Sequence, residues 1–574
     1  MSEPKVLVAN RGEIAVRVIR TCREMGIPVV AVYSDADRES LHVELADEAY
    51  HLGPAPPLES YLNMARILEV AHKARATMVH PGYGFLSENA AFARAVAREG
   101  FTFVGPPPEA MEAMGDKAAA RRTARSVGAP VVPGTLDPVG PEEAVREAER
   151  IGLPVVVKAA HGGGGKGMQV VRAPEELGPA VARCAREAAS YFGRPEVYLE
   201  RYLARVHHVE AQVLGDAHGH LSFLGERDCS SQRRHQKLLE ESPSPVVDEA
   251  LRTRIGEAAL AISRAVGYVN AGTVEFLVDE EGSFYFIEMN TRLQVEHPVT
   301  EMTTGLDLVR LQILVALGER VEVTPAPRGH AIECRINAED PARDFLPGPG
   351  VVTRYRPPEG PFVRVDAGID EGRRVPGDYD SLVAKLIVWA EDRELARRRM
   401  VRALDEFVIE GIPTTIPFHR WLLETEEFRG GRVHTRFVGE ALAAGAFRPA
   451  PAPPAVPSGP APRPVRLVVE VDGRRVPVTV WDDGLRTPPR PVEAPGHAHV
   501  GGDGGEVVAA PMQGTILSVL VEPGQQITAG QTICILEAMK MENHIQAHRD
   551  GTVTRVVVSR GDVVESGQPL AVIE

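Results

Sequence analysis

A Pro- and Ala-rich stretch, FRPAPAPPAVPSGPAPRPV at 447–465, divides this chain into a long N-terminal part and a short C-terminal part. Proline fixes its own φ angle and has no N–H, so such a stretch favours an extended spacer over packed structure. A Gly-rich stretch, GHAHVGGDGGE at 496–506, marks a second break. A chain of 574 residues is also too long for one hydrophobic core, so we expect roughly three to five domains.

Short apolar runs alternate with helix-like stretches through residues 4–114, as in KVLVAN, PVVAVYS, TMVHPGYG and FTFVGPP. This alternation predicts a parallel α/β sheet. Residues 115–330 mix helices with strand pairs such as TVEFLVD and SFYFIEMN, which predicts an α+β unit with antiparallel strands. Residues 330–445 are β-rich and are expected to close this half of the chain.

The C-terminal part contains an internal repeat. GTILSVLVEPGQQITAGQTICILEA at 514–538 matches GTVTRVVVSRGDVVESGQPLAVIE at 551–574. Regular glycines between strands of alternating apolar residues predict two similar halves that close a small β-barrel. Met539, Lys540 and Met541 would then lie at an exposed turn between the halves. A separate hairpin is predicted at 465–481, with Asp472-Gly473 at its turn.

Composition and charge exclude several classes of protein. The net charge of −15 argues against nucleic acid as the main partner, since phosphate backbones demand excess Lys and Arg. The five cysteines are scattered and never form CxxC, so neither a disulfide framework nor a zinc site is predicted. No apolar run approaches the roughly 18 to 20 residues that span a bilayer, and no signal peptide is recognised. We therefore expect a cytoplasmic protein with no membrane partner.

A pair of carboxylates is predicted in AGTVEFLVDEEGSFYFIEMNTRLQVEHP at 271–298. If Glu281-Gly282 is a two-residue turn, Glu275 lies opposite Glu288 across a hairpin. Side chains alternate along a strand, so Glu288, Asn290 and Arg292 project from one face. Opposed carboxylates repel unless one is protonated or a cation lies between them, and all-oxygen ligands suit Mg²⁺ or Mn²⁺. The alternative is an exposed, charged hairpin face.

A glycine run follows a predicted strand in VVVKAAHGGGGKGM at 155–168. Backbone N–H groups without a Cβ beside them can close on phosphate oxygens. The run is not a Walker A loop, because Gly167 follows Lys166 where Ser or Thr is required. A flexible hairpin is the alternative, and Lys158 at the end of the preceding strand favours the phosphate interpretation.

Several motifs together resemble biotin carboxylase, a member of the ATP-grasp superfamily. They are VANRGEIA (8–15), HPGYGFLSEN (80–89), KAAHGGGGKGM (158–168), QRRHQK (232–237) and EMNTRLQVEH (288–297). The C-terminal part resembles a biotin carboxyl carrier domain, and its EAMKM at 537–541 is similar to the biotinylation sequence of that family. The combination is far more specific than any single motif.

The resemblance implies a fold of α/β and α+β units with five parts. A Rossmann-like N-terminal domain at 1–114 is followed by an ATP-grasp domain at 115–329 with a lid at about 132–204. The remaining parts are a carboxylase C-terminal domain at 330–446, a linker with a short hairpin at 447–505, and a β-barrel of biotinyl/lipoyl type at 506–574.

The resemblance also implies an ATP site with two Mg²⁺ or Mn²⁺ ions. The residues expected around the phosphates are Lys117, Lys158, Gly162, Gly163, Gly164, Gly165, His208, Gln232, His235 and Lys237. Adenine would contact Glu200 and the backbone near Leu203, where this chain has Arg201 and the family commonly has Lys. The metal ligands would be Glu275, Glu288 and Asn290.

The implied chemistry is the carboxylation of biotin. Arg292, Gln294 and the Val295 backbone would hold bicarbonate, and Glu296 would remove its proton so that it attacks the γ-phosphate of ATP. Arg335 would stabilise negative charge on the ureido oxygen of biotin, although alone it could be a salt-bridge residue. Lys540 would carry the biotin covalently. Cys229 is interpreted as a packing residue.

The resemblance implies an α subunit of an acetyl-CoA or propionyl-CoA carboxylase. Nothing in the chain resembles a carboxyltransferase, so a separate β subunit is expected, with biotin protein ligase as a second partner and a homodimer or larger α/β complex. Methylcrotonyl-CoA and geranyl-CoA carboxylase α subunits are alternatives. Other rivals are a pyruvate or urea carboxylase, an inactive carrier, and an ATP-grasp ligase fused to a lipoyl-type domain.

Overall fold

The computed structural model describes residues 3–448 except 136, 138, 140, 160–167 and 193–195, the strands 464–471 and 474–481, and residues 506–574 except 512–513, 539–540 and 565–566. Across these ranges, no helix is long and apolar enough to cross a membrane.

The first unit is a five-stranded parallel sheet, as the alternating pattern predicts. Its strands are β1 (Val6–Val8), β2 (Val29–Ser34), β3 (Glu48–Gly53), β4 (Met78–His80) and β5 (Thr102–Phe103), in the order β3-β2-β1-β4-β5. The helices are α1 (Gly12–Glu24), α2 (Leu41–Leu45), α3 (Met64–Lys73), α4 (Ala90–Arg98) and α5 (Pro108–Gly115). Val6 and Val8 join one hydrophobic cluster and Leu7 joins another, because successive side chains point to opposite faces of a buried strand.

A small antiparallel sheet follows. Helices α6 (Lys117–Ser126) and α7 (Pro141–Ile151) precede β6 (Val155–Ala159), β7 (Met168–Val171), α8 (Leu177–Phe192) and β8 (Val197–Arg201). The strand order is β7-β6-β8, and β6 is the apolar run before the predicted phosphate loop. Val155, Val157 and Leu199 bury one face of this sheet against Ala144, Ala148 and Val181 of the two long helices.

The largest sheet has eight strands and continues across residue 330. Its strands, with short neighbours, are β9 (Val206–Gly215), β10 (Leu221–Arg233), β11 (Gln236–Ser242), β12 (Asn270–Asp279), β13 (Phe284–Asn290), β14 (His330–Asn337), β15 (Glu339–Asp340), β16 (Leu346–Pro347), β17 (Gly350–Val351), β18 (Arg354–Arg356), β19 (Val363–Ala367), β20 (Arg374–Val375), β21 (Leu382–Ala390) and β22 (Val408–Glu410). The sheet order is β13-β12-β9-β10-β11-β14-β21-β19. The link between β11 and β14 therefore joins the predicted α+β unit to the β-rich residues after it.

Helices cover this sheet. They are α9 (Glu249–Ala265), α10 (His297–Thr304), α11 (Leu308–Ala316), α12 (Arg393–Glu406), α13 (Ile416–Leu422), α14 (Glu426–Arg429) and α15 (Phe437–Ala443). Ile255 and Ile262 of α9 pack with Phe276 of β12, and Met400 of α12 packs with Leu386 of β21. Helix α10 begins directly after Glu296, so two of the predicted catalytic residues, Arg292 and Glu296, lie on the short connection between β13 and α10.

The predicted hairpin at 465–481 is confirmed. Strands β23 (Pro464–Val471) and β24 (Arg474–Trp481) pair in antiparallel register, with Val471 opposite Arg474. The predicted turn residues, Asp472 and Gly473, lie outside the described residues.

The C-terminal unit contains two four-stranded sheets that mirror the sequence repeat. Its strands are β25 (Glu506–Ala509), β26 (Gly514–Val519), β27 (Gln526–Ile527), β28 (Thr532–Ala538), β29 (Met541–Gln546), β30 (Gly551–Val556), β31 (Val563–Val564) and β32 (Pro569–Ile573). The orders are β25-β32-β30-β27 and β29-β28-β26-β31. Replacing each strand by its equivalent in the other repeat converts one order into the other. Ile516, Leu536, Val553 and Leu570 fill the core between the sheets.

Equivalent glycines of the two repeats, Gly514 and Gly551, each lie close to a backbone carbonyl group at the equivalent position of its repeat. A Cβ on Gly514 would lie 2.4 Å from the carbonyl oxygen of Glu537, and a Cβ on Gly551 would lie 2.4 Å from that of Glu574. Neither position tolerates a side chain without movement of a neighbouring strand. The repeat therefore preserves these glycines for close strand packing rather than for an unusual φ angle.

We predict that Gly551→Ala destabilises the C-terminal unit by about 1–3 kcal/mol, the usual cost of overpacking. Hydrogen exchange of the β30 amides in the full chain would measure the loss. Gly439→Ala is the matched control, because no atom lies within 4 Å of a Cβ placed there. Equal exchange in Gly551→Ala and the control would contradict the packing argument.

Candidate active site

The predicted carboxylate pair is present. Glu275 on β12 is directly opposite Glu288 on β13. The turn that was predicted is wrong, however. Val278 pairs with Phe284, and the Asp279 amide bonds to the Ser283 carbonyl, so the loop contains three residues rather than the two of Glu281-Gly282.

A β-bulge between Glu275 and Phe276 accounts for the correct pairing despite the wrong turn. The longer turn shifts the register near the loop by one residue, and the bulge shifts it back. Without the bulge, Glu275 would no longer face Glu288. The strand pattern could not reveal two compensating shifts.

Lys237 on β11 lies at the centre of the site. Its ammonium group donates to Glu210 at 2.5 Å, to Glu275 at 2.9 Å and to Glu296 at 2.6 Å. Both Glu210 and Glu296 are buried. One cation thus contacts three buried carboxylates. Glu210 lies on β9, Glu275 lies on β12, and Glu296 directly precedes α10.

The cations around Glu296 keep it ionised. Burial alone would raise the pKa of Glu296, but the charges of Lys237, Arg335 and Arg227 lower that pKa well below its usual range. Lys237 and His208 likewise hold the pKa of Glu275 far below normal against the effect of burial. Burial and the charge of Glu275 raise the pKa of Glu288 instead. The two opposed carboxylates are therefore electrostatically different.

Arg335 on β14 joins Glu296 to another buried acid. Its Nε donates to Glu240 at 2.6 Å and its terminal nitrogen donates to Glu296 at 2.9 Å. Burial raises the pKa of Glu240 to about 7, and one of its oxygens has no hydrogen-bond partner among the described residues. Arg335 is thus held from two sides, with Glu296 placed between it and Lys237.

The face predicted for Glu288, Asn290 and Arg292 is also formed. Asn290 donates to Glu275 at 2.9 Å and accepts from Arg292 at 3.1 Å. Gln294 donates to the same Glu275 oxygen at 2.9 Å. The Arg292 Nε donates to Glu88 at 3.0 Å, so the connection after β13 is tied to the first unit.

The residues predicted around the phosphates lie beside this cluster. His208 bonds Glu275 at 2.9 Å, and Gln232 donates to His208 at 3.2 Å. Lys117 lies 3.8 Å from Glu288, and Lys158 forms an ion pair with Glu200. His235 lies in the turn between β10 and β11, where burial and then the charge of Lys158 lower its pKa.

Leu203 lies two residues after Arg201, the last residue of β8. Gly162, Gly163, Gly164 and Gly165 lie outside the described residues, as does Lys540. Strands β28 and β29 on either side of 539–540 pair as a hairpin, with Ala538 opposite Met541.

The sequence analysis missed several charged residues of the site, among them Glu210 and Arg227. Arg227 is fully buried and donates to Glu210 at 2.5 Å, to Gln212 at 2.7 Å and to Gln294 at 3.3 Å. A signal for Glu210 exists: His208, Glu210 and Gln212 alternate along one face of strand β9. Three successive polar residues on one face of a buried strand indicate a site.

Cys229 is not a nucleophile in this geometry. Its sulfur lies 4.0 Å from Glu296, and burial raises the pKa of the thiol well above its ordinary value. A thiolate is the reactive form, and this environment disfavours it. The interpretation of Cys229 as a packing residue agrees with the structure.

Known protein families match nearly all of the chain. The matches are to the biotin carboxylase N-terminal domain at 2–111, the ATP binding domain of carbamoyl-phosphate synthase L chain at 116–324, the biotin carboxylase C-terminal domain at 333–440, and the family described as biotin-requiring enzyme at 506–573.

Individual proteins extend this likeness. The biotin-dependent acyl-coenzyme A carboxylase alpha3 subunit of Mycobacterium leprae is 47% identical over 95% of this chain and 94% of its own. The mitochondrial methylcrotonoyl-CoA carboxylase subunit alpha of Oryza sativa is 51% identical over 76% of this chain and 60% of its own. The biotin carboxylase domain dimer of Hydrogenobacter thermophilus 2-oxoglutarate carboxylase, solved with MgADP, ADP and bicarbonate, is 46% identical, with a TM-score of 0.74, over 77% of this chain and 99% of that one.

The fold and the charged cluster at the β13–α10 connection are those of an ATP-dependent ligase of the biotin carboxylase type. The predicted fold class is therefore confirmed. More particularly, the chain belongs to the family of biotin-dependent acyl-coenzyme A carboxylase α subunits, in which the carboxylase is followed by a biotin-requiring domain.

The residues at the hairpin suit a divalent cation. Lys117 lies 3.8 Å from Glu288, so this ion pair is weak. Burial and the opposite carboxylate of Glu275 raise the pKa of Glu288, and a bound cation would reduce this repulsion. Glu275 is already surrounded by donors from Lys237, Asn290, Gln294 and His208. Lys237, Asn290 and Gln294 all donate to Oε1 of Glu275, whereas His208 alone among the described residues bonds Oε2, so Oε2 is the oxygen better placed to accept a cation.

We predict that Lys237→Met destabilises the nucleotide-free protein by about 3–5 kcal/mol, because three buried carboxylates lose their shared cation. The lowered pKa values of Glu275 and Glu296 contribute stability that is present above the ordinary Glu pKa of about 4.5 and lost below it, so the deficit should shrink from pH 6 to pH 3. Thermal unfolding at both pH values would measure it. Lys73→Met, at an exposed lysine, is the control and should show neither effect. A pH-independent deficit would contradict the electrostatic explanation.

Proposed function

We propose that this chain uses ATP and bicarbonate to carboxylate a biotin attached to its own Lys540. The observation that carries the proposal is the buried Glu296 held between Lys237 and Arg335, two cations on neighbouring strands. A carboxylate kept ionised in a buried site, next to two cations, is equipped to take a proton from a small anion. The bound nucleotide and bicarbonate of the Hydrogenobacter protein support the same ligands here.

The phosphate side of the site is assigned to Lys117, Lys158, His208 and the glycine run Gly162 to Gly165, with Gln232 and His235 beside them. Glu275, Glu288 and Asn290 would hold Mg²⁺ or Mn²⁺. Such a cation, when bound, neutralises phosphate charge and brings the oxygens of the nucleotide together. Adenine would contact Glu200 and the backbone near Leu203.

Lys237 couples the two sides of the site in this proposal. In the structure its ammonium group is shared by three carboxylates, one of which is Glu296. Phosphate oxygens of a bound nucleotide would compete for the same ammonium. As Lys237 turns toward them, Glu296 loses one cation, its pKa rises, and it becomes the stronger base that bicarbonate deprotonation requires.

Arg292, Gln294 and the Val295 backbone would hold bicarbonate beside Glu296. Arg335 would stabilise the negative charge that develops on the ureido oxygen of biotin. Its bonds to Glu240 and Glu296 already fix the direction of its guanidinium group, so the residue is placed before any substrate arrives.

The carrier and the partners complete the proposal. The likeness to a carboxylase α3 subunit supports an acetyl-CoA or propionyl-CoA carboxylase with a separate carboxyltransferase β subunit, and a methylcrotonyl-CoA carboxylase is the second candidate. We further propose biotinylation by a biotin protein ligase, pairing of the carboxylase as a homodimer or within a larger α/β complex, and a cytoplasmic location. The five domain ranges expected from the sequence remain part of this proposal.

We predict that Glu296→Gln lowers bicarbonate-dependent ATP cleavage by about 100-fold or more, because general-base catalysis contributes on that order. Nucleotide affinity should be retained or rise slightly, since the amide keeps the volume of the carboxylate and competes less with phosphate for Lys237. Steady-state ATPase with bicarbonate and equilibrium nucleotide binding are the measurements. The exposed Glu99→Gln is the control and should match the wild type. Normal turnover in Glu296→Gln would remove Glu296 as the base.

We predict that Lys540→Arg keeps bicarbonate-dependent ATP cleavage with free biotin but carboxylates no acyl-CoA. Intact mass should show one attached biotin in the wild type, after co-expression with a biotin ligase, and none in the variant. A copurified transferase subunit, with acetyl-, propionyl- and methylcrotonyl-CoA, would identify the substrate. An unmodified wild-type Lys540 with ATP use that is independent of bicarbonate would favour an ATP-grasp ligase instead.

A further inference from the structure

The motifs VANRGEIA and HPGYGFLSEN belong to the first unit, and the proposed reaction assigns them no role. In the structure they are bound to each other. Asn10 donates to the carbonyl oxygens of Pro81 at 2.7 Å and Tyr83 at 2.8 Å. The two motifs therefore form one surface at the carboxyl ends of β1 and β4, which faces the connection between β13 and α10.

Glu88 of this surface binds the first residues of the connection, Thr291 and Arg292. One Glu88 oxygen accepts from the Thr291 amide and the other from the Arg292 Nε, both at 3.0 Å. These bonds fix the residues that follow Asn290. Glu296 lies four residues after Arg292, so a second contact is needed to fix its position.

Lys385 on β21 provides that second attachment. Its ammonium group donates to the Val295 carbonyl oxygen at 2.8 Å. That oxygen belongs to the peptide group that joins Val295 to Glu296, so the bond orients the backbone on which Glu296 is carried. Lys385 is fully buried, on the same sheet face as Arg335, which it opposes directly in the next strand.

The first unit supplies the counter-charge for this lysine. Glu13, at the start of α1, lies 3.3 Å from the Lys385 ammonium, and the Tyr83 ring centroid lies 5.9 Å from it. Asp366 is opposite Lys385 on β19. Gly368 allows the approach of α1, since a Cβ there would lie 2.6 Å from the Glu13 nitrogen. Residues of the first unit, of the β13–α10 connection and of the eight-stranded sheet therefore meet at one ammonium group.

We propose that Lys385, backed by Glu13 and Tyr83, is a positioning residue that holds the Val295–Glu296 peptide for bicarbonate deprotonation. The inference rests on the proposed function and deepens it. Lys385 touches the backbone next to the base, whereas its counter-ion comes from a motif far away in sequence. Loss of this bond moves Glu296 relative to bicarbonate but leaves the nucleotide site, on the other side of Lys237, in place.

The test is Lys385→Met in the full, biotinylated chain, with Glu13→Gln as a milder second variant and Lys73→Met as the surface control. Burial raises the pKa of Glu13 to about 7 while Lys385 lowers it, so removal of the lysine leaves Glu13 protonated rather than as an unpaired buried charge. This favours folding of the variant. Initial rates are measured against bicarbonate and, separately, against ATP.

We expect kcat/KM for bicarbonate to fall about 100-fold in Lys385→Met, the size of effect that a misplacement of about 1 Å produces, and about 10-fold in Glu13→Gln. The KM for ATP should change less than about twofold in both. Unchanged bicarbonate kinetics, or equal losses for ATP and bicarbonate, would overturn the inference. If Lys385→Met does not fold, Glu13→Gln decides by the same criteria. A wild-type chain without bicarbonate-dependent ATP cleavage overturns the proposed function itself, and this inference with it.

Discussion

One ammonium group, that of Lys237, holds the site of this protein together. Its bonds to Glu210, Glu275 and Glu296 gather carboxylates that would otherwise repel each other in a buried, weakly screened environment. The cation also decides their protonation, since Glu275 and Glu296 stay ionised where burial alone would neutralise them. Because the Lys237 ammonium binds three carboxylates, a nucleotide phosphate that competes for it would change the pKa of Glu296.

The rest of the structure brings partners to that cation. The eight-stranded sheet places β12, β9, β10, β11 and β14 side by side, so that acids and cations distant in sequence face the same space. Arg227 then donates a hydrogen bond to Glu210, and Arg335 donates one to Glu296. Lys385 continues the same charged face toward the first unit, where Glu13 balances it. The eight-stranded sheet and the first unit therefore both contribute charged residues to the site.

Much of this organisation could be predicted from the sequence. The parallel first sheet, the repeat of the C-terminal unit and the 465–481 hairpin follow from local periodicity and turn residues. The opposition of Glu275 and Glu288 was also predicted, but from a two-residue turn that the structure does not have. The details that failed are those with no local signal. The three-residue turn and the bulge compensate each other, and Arg227 and Lys385 look like ordinary strand residues until neighbouring strands are known.

The sequence by itself determined which chemical groups are available and, through its motifs, the family to which the chain belongs. Alternation along a strand and glycine spacing are local properties, so they can be read without the fold. The tertiary structure alone decided which charges share a cation, which of two opposed carboxylates has the lower pKa, and that a lysine on β21 holds the backbone beside Glu296. These depend on burial and on contacts between residues far apart in the chain, because electrostatic energies are set by distance and solvent exposure rather than by sequence order.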